Sequence, residues 1–374
     1  MSQNNAVLII PSLNPDQKLV DVVKEASEVF GDIIVINDGS KKEYDGIFEQ
    51  IKSDYGEKIH LLAHEQNRGK GCALKTAFDY YLHSDLSKKY LGVVTMDSDG
   101  QHSVEDAKSL DEKLGEKHER ALHIGHRDLN SPVMPLRSKF GNKATAFLFR
   151  FLYGVKLKDT QSGLRAFSND IVPWLTEVNG QRFEYEMNVL IRSKDADLNV
   201  YEHQIETRYE KEHKSHFRSL NDSFKVMKVL FGGIAKFVFA ALCAGIFDLG
   251  LFYLIDYIII GDKMAVALSL LIATTVSRAV SSVVNFLVNK FITFGGKKTP
   301  KRSIIKYYVL WLFQMGASYG LVLAFTSIFG GGEFWIKLVV DLLLSLLSYR
   351  LQLTWVFKKK NERKNEEKEV PSAV

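Results

Sequence analysis

Cysteine is almost missing from this sequence, since Cys72 and Cys243 are the only two among 374 residues. Two cysteines, one of them in an apolar stretch, exclude the disulfide framework of a small secreted fold. A basic leader is missing too, because residues 1–14 contain no lysine or arginine and the apolar run at residues 6–10 is too short for a signal peptide. We therefore expect the N-terminal part of the chain to stay in the reducing cytosol.

A continuous basic stripe is also lacking. Lysine and arginine total 49 against 44 acidic residues, and the net charge of +5 alone could suggest a nucleic-acid partner. The basic residues cluster beside apolar segments, however, and aromatic side chains are not interleaved with them. This distribution predicts no nucleic-acid binding and favours a role at a membrane surface.

Charge is scarce in the second half of the chain. Four apolar stretches there are each about 20 residues or longer, enough to cross a bilayer as helices. They lie at residues 234–257, 264–288, 305–329 and 334–357. The connection between the second and third, and the tail after the fourth, are rich in lysine and arginine, whereas the opposite connections carry almost none. The positive-inside rule places the basic connection, the basic tail and the N-terminal domain in the cytosol. This arrangement predicts a multi-pass plasma-membrane protein.

Charged residues inside these stretches need partners, because an isolated charge in hydrocarbon is costly. Arg278 lies deepest. Pairing with Asp248 or Asp341 is the structural interpretation, and lining a path for a polyprenyl chain or headgroup is the alternative.

The sequence predicts four regions along the chain. Residues 1–210 form a cytosolic domain, residues 211–233 an acceptor loop with an amphipathic helix, residues 234–357 the membrane domain, and residues 358–374 a basic, disordered tail. The amphipathic segment, residues 219–231, combines apolar and basic side chains and suits the headgroup region of a bilayer. The alternative for it is a helix packed on the soluble domain.

The first half alternates β-rich runs with helical patterns, which predicts βα units around a largely parallel sheet. Strands are expected at residues 6–10, 33–36, 59–63, 91–96 and 121–125, and helices at 19–30, 71–82 and 104–117, the last with Ser103 as its N-cap and Asp106 at N3. In such sheets ligands bind beyond the carboxyl ends of the strands, and polar motifs follow three of these strands.

Two carboxylates, Asp97 and Asp99, follow the fourth predicted strand. They repel each other unless a cation lies between them, so they suggest a divalent metal site. Gln101 could add a neutral oxygen ligand, and oxygen ligands favour Mg²⁺ or Mn²⁺. A solvated turn is the alternative for an isolated Asp-x-Asp pair.

Two further motifs suit a nucleotide. Asp38, in Asn-Asp-Gly-Ser after the second strand, could accept hydrogen bonds from a base or ribose, or could simply form an Asx turn. Residues 67–71, Asn-Arg-Gly-Lys-Gly, place Lys70 and two glycines before a helix, which suits close approach to a phosphate; an ordinary turn would look similar.

Five motifs occur in an order that resembles glycosyltransferase family 2, in the branch of dolichyl-phosphate mannose synthases and bacterial polyprenyl-phosphate glucosyltransferases. They are residues 11–14 (Pro-Ser-Leu-Asn), 37–40, 67–71, 97–102 (Asp-Ser-Asp-Gly-Gln-His) and 159–165 (Asp-Thr-Gln-Ser-Gly-Leu-Arg). The resemblance covers roughly residues 5–230, and the remainder resembles a GtrA-like membrane domain.

The resemblance implies an α/β GT-A domain, a Rossmann-like nucleotide-sugar fold, followed by an all-α four-helix transmembrane domain. It implies a hexosyltransferase that moves one sugar, with inversion, from a nucleotide sugar to polyprenyl (undecaprenyl or dolichyl) phosphate for cell-envelope glycosylation. The donor would be a UDP-hexose, a UDP-N-acetylhexosamine or GDP-mannose, and the cofactor Mg²⁺ or Mn²⁺. The protein could also form a homo-oligomer.

Site residues follow from the same resemblance. The implied nucleotide-sugar ligands are Pro11, Asn14, Asp38, Lys70, Asp97, Ser98 and Asp99, and the implied metal ligands are Asp97, Asp99 and Gln101. The implied catalytic residues are Asp159, Arg127 and Arg137. The implied acceptor-phosphate ligands are Arg127, Arg137, Ser162, Arg165, His216 and Arg218.

Several of these roles have alternatives. Asp159 would orient a sugar hydroxyl or the acceptor, since a lipid phosphate is already an oxyanion and needs no strong base; otherwise it is a loop carboxylate paired with Arg165. His216 could equally belong to a solvated charge cluster. Residues 183–186, Phe-Glu-Tyr-Glu, also resemble a family segment but receive no role.

The sequence departs from the family pattern in two places, and two competing functions remain as alternatives. Ser12-Leu13 and His126 differ from the usual residues, and neither position is an implied metal ligand. A processive polysaccharide synthase would need a Gln-x-x-Arg-Trp motif, which the sequence lacks. A lipid-carrier transporter or scaffold with an inactive transferase half is the alternative from another class.

Overall fold

The computed structural model describes residues 4–116, 119–128, 134, 136–206, 221–260, 265–294, 302–329 and 333–357. The chain divides into two compact units. The first comprises Met1–Arg150 and Val155–Leu230, and the second comprises Phe151–Gly154 and Phe231–Val374. The finer division predicted from the sequence stays a prediction.

The first unit is built around one seven-stranded sheet. Its strands are β1 (Ala6–Ser12), β2 (Ile33–Asn37), β3 (Ile59–Ala63), β4 (Gly92–Thr95), β5 (Ala121–Arg127), β6 (Arg165–Ser168) and β7 (Asn199–Ile205), in the spatial order β3-β2-β1-β4-β6-β5-β7. Only β6 runs antiparallel to its neighbours, β4 and β5. The mixed sheet with flanking helices confirms the GT-A-like α/β fold expected for this half.

Helices follow most strands of this unit and cover the sheet. They are α1 (Gln17–Val29), α2 (Asp45–Tyr55), α3 (Lys70–His83), α4 (Leu86–Lys89), α5 (Val104–Leu114), α6 (Leu136–Tyr153), α7 (Val172–Glu177) and α8 (Glu184–Ser193). Central β1 is buried along its whole length, as expected for a parallel strand covered on both faces. α1 turns Leu19, Val23 and Ala26 inward at helical spacing.

The predicted start of α5 is confirmed in detail. Ser103 Oγ accepts a hydrogen bond from the Asp106 backbone N–H at 3.0 Å, and the same hydroxyl donates to Asp106 Oδ2 at 2.8 Å. The N-cap therefore satisfies a backbone N–H that the first turn leaves without a helical partner. The helix ends at Leu114, three residues before the predicted end.

Strand register brings the motifs to one edge of the sheet. The parallel pairs Ser12 with Asn37 and Ile9 with Thr95 align the carboxyl ends of β1, β2 and β4. Because β6 is antiparallel, its first residue, Arg165, pairs with Thr95 near the end of β4. Residues 159–164, which precede β6, therefore arrive at the same edge.

Two strands were not predicted from the sequence. β6 is only four residues long, too short to show an alternating pattern, and its first residue, Arg165, belongs to the motif at residues 159–165. β7 is a sheet-edge strand with mostly half-buried side chains, so its polar sequence gives a weak signal.

The second unit is helical. Its helices are α9 (Asn221–Tyr253), which starts within the first unit, α10 (Val266–Val288), α11 (Ser303–Phe329) and α12 (Glu333–Leu351). Three of them continue into π-helical turns at Leu254–Ile260, Asn289–Thr293 and Gln352–Val356. The described residues of the predicted amphipathic segment form the start of α9 and not a separate helix.

Within the described residues, two helices are long and apolar enough to cross a membrane: Phe224–Ile260 and Ser303–Phe329. α10 and α12 are shorter, and both carry charged residues near their midpoints. The described part of the second unit thus contains four helices where four spans were predicted, and the number of membrane crossings stays a prediction.

Two ion pairs join charged residues on these helices, which lowers their cost in hydrocarbon. Arg278 Nε lies 3.3 Å from Asp248 Oδ2, and Ser281 donates to Asp248 Oδ1 at 2.9 Å. Lys337 Nζ lies 2.8 Å from Asp341 Oδ2. The predicted pairing of Arg278 with Asp248 is therefore confirmed.

Candidate active site

Asp97 lies two residues beyond the end of β4 and contacts a cation. Its Oδ1 is 2.6 Å from the ammonium nitrogen of Lys70, and its Oδ2 is 3.9 Å from His102 Nε2. Burial alone would raise the pKa of the Asp97 carboxyl, but attraction to the Lys70 ammonium, with smaller contributions from His102 and Arg127, holds it below its usual value. Asp97 is therefore ionised at neutral pH.

Gly163 faces Asp97 from the segment before β6. A Cβ at position 163 would lie 2.4 Å from Asp97 Oδ2 and 2.8 Å from its Cγ. Thr95 donates to the Gly163 carbonyl at 3.0 Å and so fixes this segment to β4. A glycine here lets the backbone approach the carboxylate directly.

Lys70, the first residue of α3, lies between two carboxylates. Its Nζ donates to both Oε1 and Oε2 of Glu186 at 3.0 Å, in addition to its contact with Asp97. Burial disfavours the charged ammonium, but attraction from Asp97 and Glu186 outweighs it, so the pKa of Lys70 lies above its usual value. Glu186 received no role from the sequence, although its segment had been noted.

Asp99 and Gln101 lie in the turn that follows Asp97. The Gln101 backbone N–H donates to Asp99 Oδ1 at 3.0 Å, and Ser98, Asp99 and Gln101 are all half-buried. No group of three or more His, Cys, Asp or Glu side chains forms a metal cluster in the part of the chain that the structure describes. The oxygen donors of Asp97 and Asp99 nevertheless fit a hard divalent cation, whose remaining ligands would come from Gln101, water or a bound diphosphate.

Asp38 anchors the loop that leads to Lys70. Its Oδ1 accepts the backbone N–H of Arg68 at 3.0 Å, and its Oδ2 accepts that of Gly69 at 2.8 Å. His64 Nδ1 lies 2.8 Å from the same carboxylate, and His64 Nε2 lies 2.9 Å from Thr76 Oγ1. The sequence predicted the position of Asp38 at the sheet edge, but not this support of the loop.

The loop itself requires glycine at position 69. Gly69 has φ +97°, and a Cβ there would lie 2.5 Å from the Gln181 carbonyl oxygen. A left-handed backbone and a contact this close both exclude a side chain. The loop therefore delivers Lys70 at the start of α3 in one fixed position.

The ends of β1 and β2 are joined by polar contacts. Asn14, with φ +48°, receives the Lys41 backbone N–H on its side-chain oxygen at 3.0 Å, and its own N–H donates to Ser40 Oγ at 2.8 Å. Pro11 is buried within β1. Both residues thus lie at the predicted edge, where they shape the backbone beside Asp38.

Arg127 and Asp159 form a buried ion pair. Arg127 Nε lies 2.7 Å from Asp159 Oδ2, and Nη2 lies 3.1 Å from Oδ1, which is a bidentate geometry. Asp159 is fully buried and also accepts the Gln161 backbone N–H at 2.8 Å. Burial would raise the pKa of Asp159, but Arg127 holds it below its usual value. The partner of Asp159 is therefore Arg127, and not Arg165 as the alternative from the sequence had it.

Arg165 and Ser162 lie beneath the site. Each is only 1% exposed, and Arg165 donates to the carbonyls of Ser162 at 3.0 Å and of Glu186 at 2.9 Å. One nitrogen of its guanidinium, Nη2, has no hydrogen-bond partner within the described part of the chain. Arg165 thus connects β6 to α8 and holds the backbone of Glu186.

Three predicted residues fall outside what can be described. Arg137 lies in α6, but its side chain is not among the described ones, and His216 and Arg218 lie outside the described residues. Asn142, also on α6, was not predicted, and its side-chain oxygen lies 3.4 Å from Arg127 Nη2.

Two family profiles match the chain. The glycosyl transferase family 2 profile covers residues 7–172, and the GtrA/DPMS transmembrane domain profile covers residues 236–357. The two matches fall on the N-terminal and C-terminal units respectively.

Curated relatives match the N-terminal unit. A UDP-N-acetylglucosamine–dolichyl-phosphate N-acetylglucosaminyltransferase of Methanococcus voltae is 32% identical over 228 residues, which cover 56% of this chain and 88% of the relative. A polyprenol monophosphomannose synthase of Mycolicibacterium smegmatis is 24% identical over 203 residues, which cover 52% and 74%.

Among solved structures, the chain matches part of glucosyl-3-phosphoglycerate synthase from Mycobacterium tuberculosis, crystallised with Mn²⁺, UDP and glucosyl-3-phosphoglycerate. It is 20% identical, with a TM-score of 0.46, and the match covers 61% of this chain and 79% of that one.

Proposed function

The chain belongs to glycosyl transferase family 2, and we propose that it transfers one sugar from a nucleotide sugar to polyprenyl phosphate with inversion at the anomeric carbon. It is a glycosyltransferase whose relatives act on dolichyl phosphate or make polyprenol monophosphomannose, as their names state. The observation that carries this proposal is the union, in one chain, of a family 2 domain with a GtrA/DPMS transmembrane domain. The acceptor is thus a lipid phosphate presented at the membrane.

The donor site is proposed at the carboxyl edge of the sheet. Asp97, Asp99 and Gln101 would hold a divalent cation, Mg²⁺ or Mn²⁺, which supplies positive charge to stabilise the departing diphosphate. Asp38 fixes the loop before α3, so the N-terminus of that helix, with Lys70, faces the place where the diphosphate would bind. Pro11, Asn14 and Ser98 shape the surrounding backbone for the nucleotide.

The acceptor site is proposed around Arg127. Asp159 is held ionised by Arg127, and since a lipid phosphate needs no strong base, its role is to orient Arg127 toward the acceptor. Arg137, His216 and Arg218 are the other proposed phosphate ligands. Ser162 and Arg165 are buried, so they would act on the acceptor pocket by fixing its backbone.

The sugar and the membrane topology belong to the same proposal. Glucose, N-acetylglucosamine, mannose and galactose donors are all compatible with the described residues, because pocket shape selects among them. The protein is a membrane protein, and we propose a multi-pass arrangement in the plasma membrane with the catalytic domain in the cytosol. The transporter or scaffold with an inactive transferase half is not favoured, because the relatives named above are transferases.

Transfer is tested with membranes that contain the full chain, labelled nucleotide sugars, Mg²⁺ and undecaprenyl phosphate. The expected result is a chloroform-soluble, mild-acid-labile product from one donor. Asp99→Ala should abolish it, whereas Asp79→Ala, which removes an exposed carboxylate from α3, should not. Absence of a lipid product from every donor would refute the proposed function. An unchanged rate for Asp99→Ala would refute only the metal assignment.

A further inference from the structure

Lys70 already supplies a cation to one of the proposed metal ligands. Its Nζ lies 2.6 Å from Asp97 Oδ1, the shortest of its three carboxylate contacts, and the other two are the 3.0 Å contacts with Glu186. An oxygen that is fully engaged by an ammonium group is less available to a metal. A divalent cation must therefore compete with Lys70 for Asp97.

Both ends of this arrangement are held in place. The Lys70 and Glu186 side chains are 14% and 12% exposed. Asp38 fixes the loop at the start of α3, and Arg165 binds the Glu186 backbone carbonyl. Removing the ammonium would leave the carboxylates of Asp97 and Glu186, whose side chains are 30% and 12% exposed, with no positive charge between them.

Glu186 is a second charged partner for Lys70. It presents both carboxylate oxygens at equal distances, so Lys70 keeps a charged partner when Asp97 is taken by another cation. A bound diphosphate would offer further acceptors at the same helix N-terminus. The contact of Lys70 with Asp97 can thus be lost without leaving a buried ammonium unpaired.

We propose that Lys70 is a place-holding cation, which occupies Asp97 until metal and nucleotide arrive, and that Glu186 is the positioning residue that retains it afterwards. The inference rests on the metal site of the proposed function, and it adds that the metal binds tightly only together with the nucleotide. Metal alone binds weakly because it must displace Lys70. Metal together with a nucleoside diphosphate binds tightly, because the diphosphate gives Lys70 a new partner.

Mn²⁺ binding to the full chain in detergent, followed by electron paramagnetic resonance without any nucleotide, tests the first half of this inference. Lys70→Met should bind Mn²⁺ more tightly than the wild type by about tenfold or more, a factor that corresponds to roughly 1.4 kcal/mol. Lys75→Met is the matched control, because it removes a lysine from the same helix whose ammonium lies over the Tyr185 ring and not at Asp97. It should leave the affinity unchanged.

The double variant Lys70→Met/Glu186→Gln separates place-holding from a simple change of charge. Its net charge equals that of the wild type, and it leaves no unpaired glutamate, so it also guards against misfolding of the single variant. Tighter Mn²⁺ binding than in the wild type supports the inference, because only the release of Asp97 can explain it. Binding equal to that of the wild type overturns it.

Adding UDP or GDP tests the second half. Either nucleotide should raise the Mn²⁺ affinity of the wild type more than that of Lys70→Met, in which no ammonium needs a new partner. An equal gain in both proteins overturns the proposed order. If neither the wild type nor any variant binds Mn²⁺, the inference and the metal assignment fall together. Sugar transfer is scored separately, in the lipid-product assay.

Discussion

Asp159→Asn perturbs the buried pair with Arg127 and should cost the protein much of its stability. The pair has two charge-assisted hydrogen bonds, at 2.7 and 3.1 Å, and Asp159 is fully buried. Such bonds contribute roughly 1.5–3 kcal/mol each. Breaking a buried ion pair from one side costs about 3–5 kcal/mol, because the remaining charge stays buried and unpaired. We therefore expect a loss of about 3–5 kcal/mol from the free energy of unfolding.

This loss should appear in thermal unfolding of the full chain in detergent, followed by tryptophan fluorescence. For a unit of this size, about 3–5 kcal/mol lowers the midpoint by on the order of 10 °C. Asp85→Asn is the matched control, because Asp85 pairs with Lys88 at 2.9 Å on an exposed surface. It should leave the midpoint unchanged.

The double variant Arg127→Met/Asp159→Asn separates the pair from its neighbours. If the two side chains stabilise each other, the double variant loses less than the sum of the single losses. The pH dependence gives a second signature. The pKa of Asp159 is lower in the folded protein, so its stabilisation is complete above the usual carboxyl pKa and is lost as the pH falls through the folded value. Additive single losses, or an Asp159→Asn protein as stable as the wild type, would refute this account of the pair.

Three further predictions follow from single contacts. Gly163→Ala should reduce sugar transfer at least about tenfold with little change in the unfolding midpoint, because its Cβ would displace the flexible end of Asp97; a normal rate would contradict the close approach. His64→Phe should raise the KM for the nucleotide sugar more than it lowers kcat, since His64 supports Asp38 and not the reacting atoms; initial rates at varied donor concentration measure the two. Burial raises the pKa of Asp111 to about 6, so the free energy of unfolding should fall as the pH rises from about 4 past 6. Asp111→Asn keeps an acceptor for the Asn5 N–H and should therefore raise the unfolding midpoint at pH 8. It should also make the midpoint less dependent on pH.

Local patterns predicted the parts of the site that follow strands. Asp38 and Asp97 lie where the sequence placed them, because the end of an apolar run marks the carboxyl edge of a parallel sheet. The Ser103 cap was predictable from a different local pattern, because the hydroxyl of Ser103 and the backbone N–H of Asp106 are only three residues apart.

Pairs that are distant in sequence could not be predicted in this way. Lys70 and Glu186 are separated by 116 residues, and Arg127 and Asp159 by 32, so no local period links either pair. The sequence identified Lys70, Arg127 and Asp159 as site residues. Its alternative role for Asp159, pairing with Arg165, is wrong, because Asp159 pairs with Arg127. The contact of Asp159 with Arg127 also depends on the antiparallel placement of β6, and a strand of four residues gives no clear sequence signal.

The placement of β6 also sets when the catalytic edge can exist during synthesis. Strands β1 to β4 are complete once about the first hundred residues have left the ribosome, and they can pair in the order β3-β2-β1-β4. The other edge of β4 stays unpaired until residues 165–168 are synthesised, because β5 pairs with β6 and not with β4. Asp97 gains Gly163 as a neighbour, and Arg127 gains Asp159, at the same late step. A ribosome-bound chain arrested before β6 should therefore hold a formed half-sheet that lacks transferase activity.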